Sequence, residues 1–160
     1  MGPLELIYYI GYSIIKSRKL RRQKRLACKV ISVGNITVGG TGKTPAVIAI
    51  AEKAQKWGYH PIILTRGYKG KAEGPCFVSA AGAGKGPRGN RALHELFGDE
   101  PVLMANRLKD VPIVKCSNRY EGGLFALNAL SARPSAISHQ RLVFILDDGY
   151  QHWGLYRDLD

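Results

Sequence analysis

Hydrophobic positions along this chain fall into short, nearly unbroken runs, with stretches of helical spacing between them. Val30–Val33, Pro61–Leu64, Val111–Val114 and Leu142–Leu146 are the runs. A strand that is apolar on both faces belongs in a sheet covered on both sides, which is the habit of parallel strands. Between the first two runs, Val47, Ile48, Ile50, Ala51 and Ala54 repeat with helical period across residues 43–57. Pro45 sits in the first turn, where a missing N–H costs little, and Gly58 follows the last turn. Strand, helix and strand at these lengths make a βαβ unit and predict a parallel sheet.

The same pattern predicts a helix from Gly98-Asp99-Glu100-Pro101 through Leu108, and another from Asn118 through Leu130. Cys76-Phe77-Val78 reads as a short edge strand. Gly122-Gly123 is unfavourable inside a helix and predicts close approach of a neighbour or a ligand. Residues 80–90 are small, glycine-rich and basic, and read as a mobile surface loop, with a substrate lid as the alternative. Residues 131–140 read as a polar connection. The expected fold is α/β, a mostly parallel sheet flanked by helices.

Residues 1–29 differ from the rest. Leu4, Leu6, Ile7, Tyr8, Tyr9, Ile10, Tyr12, Ile14 and Ile15 come first, and Lys16, Arg18, Lys19, Arg21, Arg22, Lys24 and Arg25 follow. The apolar stretch is short of the roughly 20 residues a membrane-spanning helix needs. Its bases come after the apolar part, the reverse of a secretory signal. An amphipathic helix at an anionic membrane surface is the expectation, and a helix packed on the domain is the alternative. The chain therefore divides into a membrane-associating segment, 1–29, and a domain, 30–160.

Charge sharpens this division. The net charge is +12, and residues 1–30 hold eight Lys/Arg against one acid. Anionic lipid, nucleic acid or a phosphorylated substrate would each suit such a balance. No aromatics interleave with the bases at stacking distance, so nucleic acid is not expected. The three cysteines, Cys28, Cys76 and Cys116, are odd in number and lack metal-ligand spacing, so neither a disulfide framework nor a metal knot is expected.

Two stretches carry chemistry. The first strand runs into Gly34-Asn35-Ile36-Thr37-Val38-Gly39-Gly40-Thr41-Gly42-Lys43-Thr44 and then a helix. Glycines let successive N–H groups face one concavity, and the helix N-terminus adds its dipole, so Gly39, Gly40, Thr41 and Gly42 predict a phosphate cradle. Lys43 is placed to reach β- and γ-phosphates, and the Thr44 hydroxyl to ligate Mg²⁺. Against the pattern G-x-x-x-x-G-K-[ST], the first glycine is replaced by Thr37. The second stretch is the apolar strand ending in Asp147-Asp148, which predicts a carboxylate delivered to Mg²⁺ beside the phosphate loop. Neighbouring strand residues face opposite ways, so one of the two is expected at the metal. Arg66, after the second strand, is placed for an anionic group or a loop salt bridge. Arg119 could hold a phosphate through two nitrogens. Asp99 reads either as a helix cap or as a base for an attacking hydroxyl. His152 follows the acidic pair by four residues and reads as structural or as part of the site.

Taken together, SVGNITVGGTGKTP (32–45), LTRGYKGK (64–71), GDEPVLMA (98–105), NRYEGG (118–123) and ILDDGYQHWGLYRDLD (145–160) resemble the tetraacyldisaccharide 4′-kinases, in that family's order. The resemblance implies ATP-dependent phosphorylation of the 4′-hydroxyl of a lipid A disaccharide 1-phosphate precursor, with Mg²⁺. It implies peripheral association with the cytoplasmic face of a bacterial inner membrane; the sequence shows no evident obligate protein partner. Carried over by motif, Thr41, Gly42, Lys43 and Thr44 hold the phosphates and Mg²⁺. Asp147 and Asp148 surround the metal with Gln151 nearby. Asp99 is the general base, Glu100 stands beside it, and Arg119 and His152 lie in the cleft. The family fold continues past the acidic motif, so this chain corresponds to its N-terminal portion. The histidine expected to assist the base lies in the other half, and an inactive fragment is the alternative outcome. A partitioning-type ATPase of the MinD and ParA kind is the competing resemblance, but the signature lysine of its loop is Val38 here.

Overall fold

The structure is a computed structural model that describes residues 2–34, 42–68, 70–78, 90–132, 141–150 and 152–160. Its elements in chain order are α1 (Pro3–Arg21), β1 (Lys29–Val33), α2 (Lys43–Lys56), β2 (His60–Thr65), β3 (Cys76–Phe77), α3 (Asn90–Phe97), α4 (Asp99–Arg107), β4 (Ile113–Lys115), α5 (Arg119–Ser131) and β5 (Leu142–Asp147). The strands form one sheet in the order β1-β5-β2-β4-β3. β1, β5, β2 and β4 are parallel, and β3 pairs antiparallel with β4 at the edge. The four apolar runs thus became parallel strands, and the weakest strand signal became the antiparallel edge.

Strand alternation sorts the core into two layers. Ile63, Ile113 and Ile145 face α2, α3 and α4, where Val47, Ala51, Phe97, Val102 and Met104 meet them. Ile62, Leu64, Val114, Phe144 and Leu146 face the other way, toward Ala126 of α5 and Leu155. β5 is buried at every position, as a central strand covered on both faces must be.

Two features depart from the sequence expectation. The helix α3 over Asn90–Phe97 was not anticipated, although Leu93, Leu96 and Phe97 pack on the first core layer. Residues 79–89, the bulk of the expected mobile loop, and 133–140 of the polar connection lie outside the described residues. The second departure is α1. It is helical but buries no residue. Leu4, Ile7, Tyr8, Tyr9, Ile10 and Ile14 are all exposed, and at 100° per residue they point to every side of the helix. The expected amphipathic helix is therefore corrected: apolar and basic residues are separated along the axis, not around it. Among the described residues no helix is long and apolar enough to cross a membrane. The middle of α1 is tied to the domain through Trp153: Tyr12 meets it edge-to-face, centroids 5.1 Å apart, and Lys16 Nζ lies 5.8 Å from its ring centroid.

The glycine pair of α5 has a structural cause. A Cβ on Gly123 would run into the Leu26 side chain, and one on Gly122 would meet Cys116 Cβ at 3.0 Å. A neighbouring segment, and not a ligand, occupies that space. The free edge of β1 is partly covered by the tail: Ser32 N donates to Leu159 O at 2.8 Å and Asp158 N to Val30 O at 2.8 Å.

Candidate functional site

The carboxyl ends of β1, β2, β4 and β5 lie side by side, and the chemistry gathers there, as it does in open parallel sheets. β1 ends at Val33, and Gly149 N donates to Val33 O at 3.0 Å. The turn after β5 therefore abuts the start of the phosphate loop. Gly34 is required by that approach, since a Cβ would stand 2.5 Å from Tyr150 Cβ. Residues 35–41, including the expected cradle residues Gly39, Gly40 and Thr41, lie outside the described residues, as does Gln151. Gly42, at φ 75°, precedes the first turn of α2, which carries Lys43 and Thr44.

The two aspartates separate as strand geometry requires. Asp147 is the last residue of β5 and 3% exposed; its Oδ2 accepts from Thr65 Oγ1 at 2.9 Å. Burial pushes the Asp147 carboxyl above its ordinary range, against the opposing pull of the Thr65 hydrogen bond and Arg119. Asp148 leaves the strand in a left-handed conformation, φ 53°, which short polar side chains tolerate. That turn swings its carboxylate to Lys43 Nζ at 2.8 Å. The hydrogen bond to Asp148 holds the Lys43 ammonium above its usual pKa. One acid is therefore buried at the strand end and the other is exposed on the loop lysine.

α4 brings Glu100 into the same field. Burial raises its pKa first, then the negative charge of Asp147. Asp99 does not cap α4; the cap is Gly98 at φ 90°, and it makes no side-chain hydrogen bond. Asp99 is instead hydrogen-bonded to His94 Nδ1 at 2.8 Å, and its side chain is 89% exposed. This disposes of the cap reading. His94 lies in the unanticipated α3; a histidine five residues before an acid, across one glycine, was the available signal.

Arg119 is corrected. It is 3% exposed, with Nη1 donating to Cys116 O at 2.7 Å and Nη2 to Asp147 O at 3.2 Å. Both terminal nitrogens brace the ends of β4 and β5, so in this geometry it does not offer a phosphate a two-nitrogen grip. Its Nε has no partner among the described residues. Burial lowers its pKa, opposed by Asp147. Arg66 remains exposed after β2 and lines a cavity of about 430 Å³ with Tyr68, Cys116 and Ser117. His152 is half-buried, and burial, reinforced by Arg119 and Lys19, lowers its pKa to about 4. It lines a second cavity of about 430 Å³ with Lys19, Arg22, Lys24, Ser117 and Asn118. Thr65 was missed by the sequence reading, although it opens the TRGY stretch.

Oxygen donors dominate the cluster: Asp147, Asp148 and the Thr44 hydroxyl. Such a set suits Mg²⁺, which is usually held by one or two carboxylates plus substrate phosphates. Among the described residues no group of three or more His, Cys, Asp or Glu could hold a metal. Burial holds the Asp147 carboxyl above its ordinary range, and a nearby cation would offset that shift.

The fold and site define a parallel α/β protein of the phosphate-loop type, with a carboxylate strand beside the loop lysine. A family model described as tetraacyldisaccharide-1-P 4′-kinase matches residues 1–160, and the chain belongs to that family. It is 40% identical over 159 residues to the tetraacyldisaccharide 4′-kinase of Syntrophus aciditrophicus, covering 97% of this chain and 38% of that protein. With the Aquifex aeolicus enzyme it shares 44% over 137 residues, covering 86% and 38%. The crystal structure of LpxK from Aquifex aeolicus in complex with ATP superposes with a TM-score of 0.73 at 41% identity, covering 92% of this chain and 42% of that one. The chain thus spans about two fifths of the length of the relatives it matches.

Proposed function

We propose that this chain is the nucleotide-binding portion of a kinase that transfers the γ-phosphate of ATP to the 4′-hydroxyl of a tetraacyldisaccharide 1-phosphate, the lipid A precursor. The observation that carries this is the Lys43–Asp148 pair at 2.8 Å beside buried Asp147, where β1 and β5 end side by side. Lys43 would neutralise charge on the transferring group, and Thr44 with Asp147 and Asp148 would hold Mg²⁺. Bound there, Mg²⁺ would stabilise the phosphate charge that builds up during transfer. Asp99, exposed at the start of α4 and hydrogen-bonded to His94, would accept the proton of the attacking hydroxyl. The basic cavity between α1 and α5 suits the anionic end of the lipid substrate.

The exposed apolar half of α1 and the bases behind it support peripheral binding to an anionic membrane surface, on the cytoplasmic face of an inner membrane. A substrate with acyl chains leaves a bilayer only at about 0.8 kcal/mol per CH₂, so the enzyme has to reach the surface.

The test is phosphate transfer from radiolabelled ATP to the disaccharide 1-phosphate in mixed micelles, alongside ATP binding by calorimetry. Wild type should bind ATP in the presence of Mg²⁺, and Lys43→Ala should lose that binding. Binding without transfer would assign the nucleotide half correctly and place further required residues outside the chain. Failure of wild type to bind ATP would refute the proposal.

A further inference from the structure

β4 ends in a buried ammonium, beside Thr65 at the end of β2. Lys115 is 4% exposed. Its hydrogen bonds among the described residues run to backbone carbonyls: Gly70 O at 3.0 Å, Ala72 O at 2.5 Å and Leu96 O at 3.5 Å. Lysine has three donors and no acceptor, so three carbonyls satisfy it in full. Two of them belong to the loop after β2 and the third to the last turn of α3. The side-chain stem runs beneath Gly67, where a Cβ would meet Lys115 Cγ, Cδ and Cε at 2.5–2.7 Å. The two segments are also joined directly, Ala72 N to Leu96 O at 2.9 Å and Lys71 N to Glu95 O at 3.1 Å. Two residues past Leu96 the chain turns at Gly98, whose open side is filled by Tyr68 O, and Asp99 comes next.

We propose that Lys115 is a positioning residue: its buried ammonium clamps Gly70 and Ala72, after β2, onto the end of α3, and so sets where Asp99 and Glu100 stand relative to Lys43 and Asp148. A methionine would fill the same space, but it would take the ammonium donor away from the Gly70 and Ala72 carbonyls and leave Leu96 O only its bond from Ala72 N. An interior charge kept at such a desolvation cost is explained by the three contacts it fixes. The catalytic consequence rests on the kinase reading; the clamp itself does not.

The test uses the full chain. In wild type, the Lys115 ammonium should give a slowly exchanging ¹⁵Nζ resonance, with couplings across the hydrogen bonds to Gly70 and Ala72 carbonyls. Fast exchange with water would overturn the clamp, and this reading needs no variant to fold. In Lys115→Met, the amides of Gly70, Ala72, Gly98, Asp99 and Glu100 should shift while those of β1 and β5 stay in place. If the variant folds and residues 98–100 do not shift, the positioning role is overturned. In the micelle assay, kcat should fall about 100-fold with KM for ATP little changed, the loss expected when a reacting group is misplaced by about 1 Å. An unchanged kcat would also overturn it. Failure of wild type to bind ATP would count against the kinase reading alone; with or without turnover, the ¹⁵Nζ exchange and the amide shifts decide the clamp.

Discussion

Thr65→Val is the substitution that most directly probes the buried acid. It keeps the shape of the side chain and deletes the hydroxyl that donates to Asp147 Oδ2 at 2.9 Å. The same hydroxyl accepts from Gly67 N at 3.3 Å. A hydrogen bond to a charged group contributes about 1.5–3 kcal/mol, and an orphaned buried donor adds to the loss, so the cost should be about 2–3 kcal/mol. For a chain of this size that is a fall in Tm of about 5–10 °C. The pH dependence is the sharper reading. The Thr65 hydroxyl stabilises the ionised carboxylate, so removing it raises the folded-state pKa of Asp147 further above the ordinary range. The deficit of the variant should therefore be full above both folded-state pKa values. It should shrink as pH falls through that of the variant and then that of wild type, because a neutral carboxyl no longer needs the donor. Circular-dichroism melts between pH 8 and acid, with Asp147→Asn completing a double-mutant cycle, measure this; the coupling at neutral pH should be about 1.5–3 kcal/mol. A Thr65→Val melt within about 1 °C of wild type at pH 8, where about 2–4 °C per kcal/mol is expected, would refute the reasoning. So would a deficit that does not change with pH.

Other outcomes follow from the same geometry. Asp99→Ala should reduce kcat by about 100-fold or more if it takes the hydroxyl proton, while ATP binding by calorimetry stays close to wild type; near-normal turnover would exclude it as the base. His152, with its pKa lowered to about 4 by burial, resists protonation in the folded state. Its unfolded form takes up a proton near pH 6.5, so stability present above that pH is lost as pH falls toward 4. His152→Asn should flatten that part of the stability profile, and an unchanged profile would contradict the assignment. Serine at Ile7, Tyr8 and Ile14 should weaken binding to anionic vesicles at least about tenfold, since one buried side chain of this size contributes about 1.5–3 kcal/mol. Equal partitioning in a sedimentation assay would remove α1 from the membrane reading.

Much of this protein was legible in one dimension. A run such as Leu142–Leu146 can be stable only where both faces are covered, so the central parallel strand follows from composition alone. Helical spacing after the phosphate loop fixed α2, and the family's motifs in order fixed the kind of site. α3 was missed because it follows a glycine-rich stretch and is only eight residues long. Such a helix gains little from its own hydrogen bonds, and its stability comes from Leu93, Leu96 and Phe97 meeting the core.

What the sequence by itself determined was the inventory: four strands that demand burial, a loop built for phosphate, a pair of acids after a strand, and a basic, apolar leader. Only the tertiary structure decided how those charges divide their work. The left-handed turn at Asp148 sends one acid to Lys43 and leaves the other under Thr65. Arg119 could have met a ligand on sequence grounds, yet burial turns it toward backbone carbonyls, as it does Lys115. The reason is physical: hydrophobic period is a local property of the chain, whereas the partner of a charge depends on which strand ends the sheet brings together.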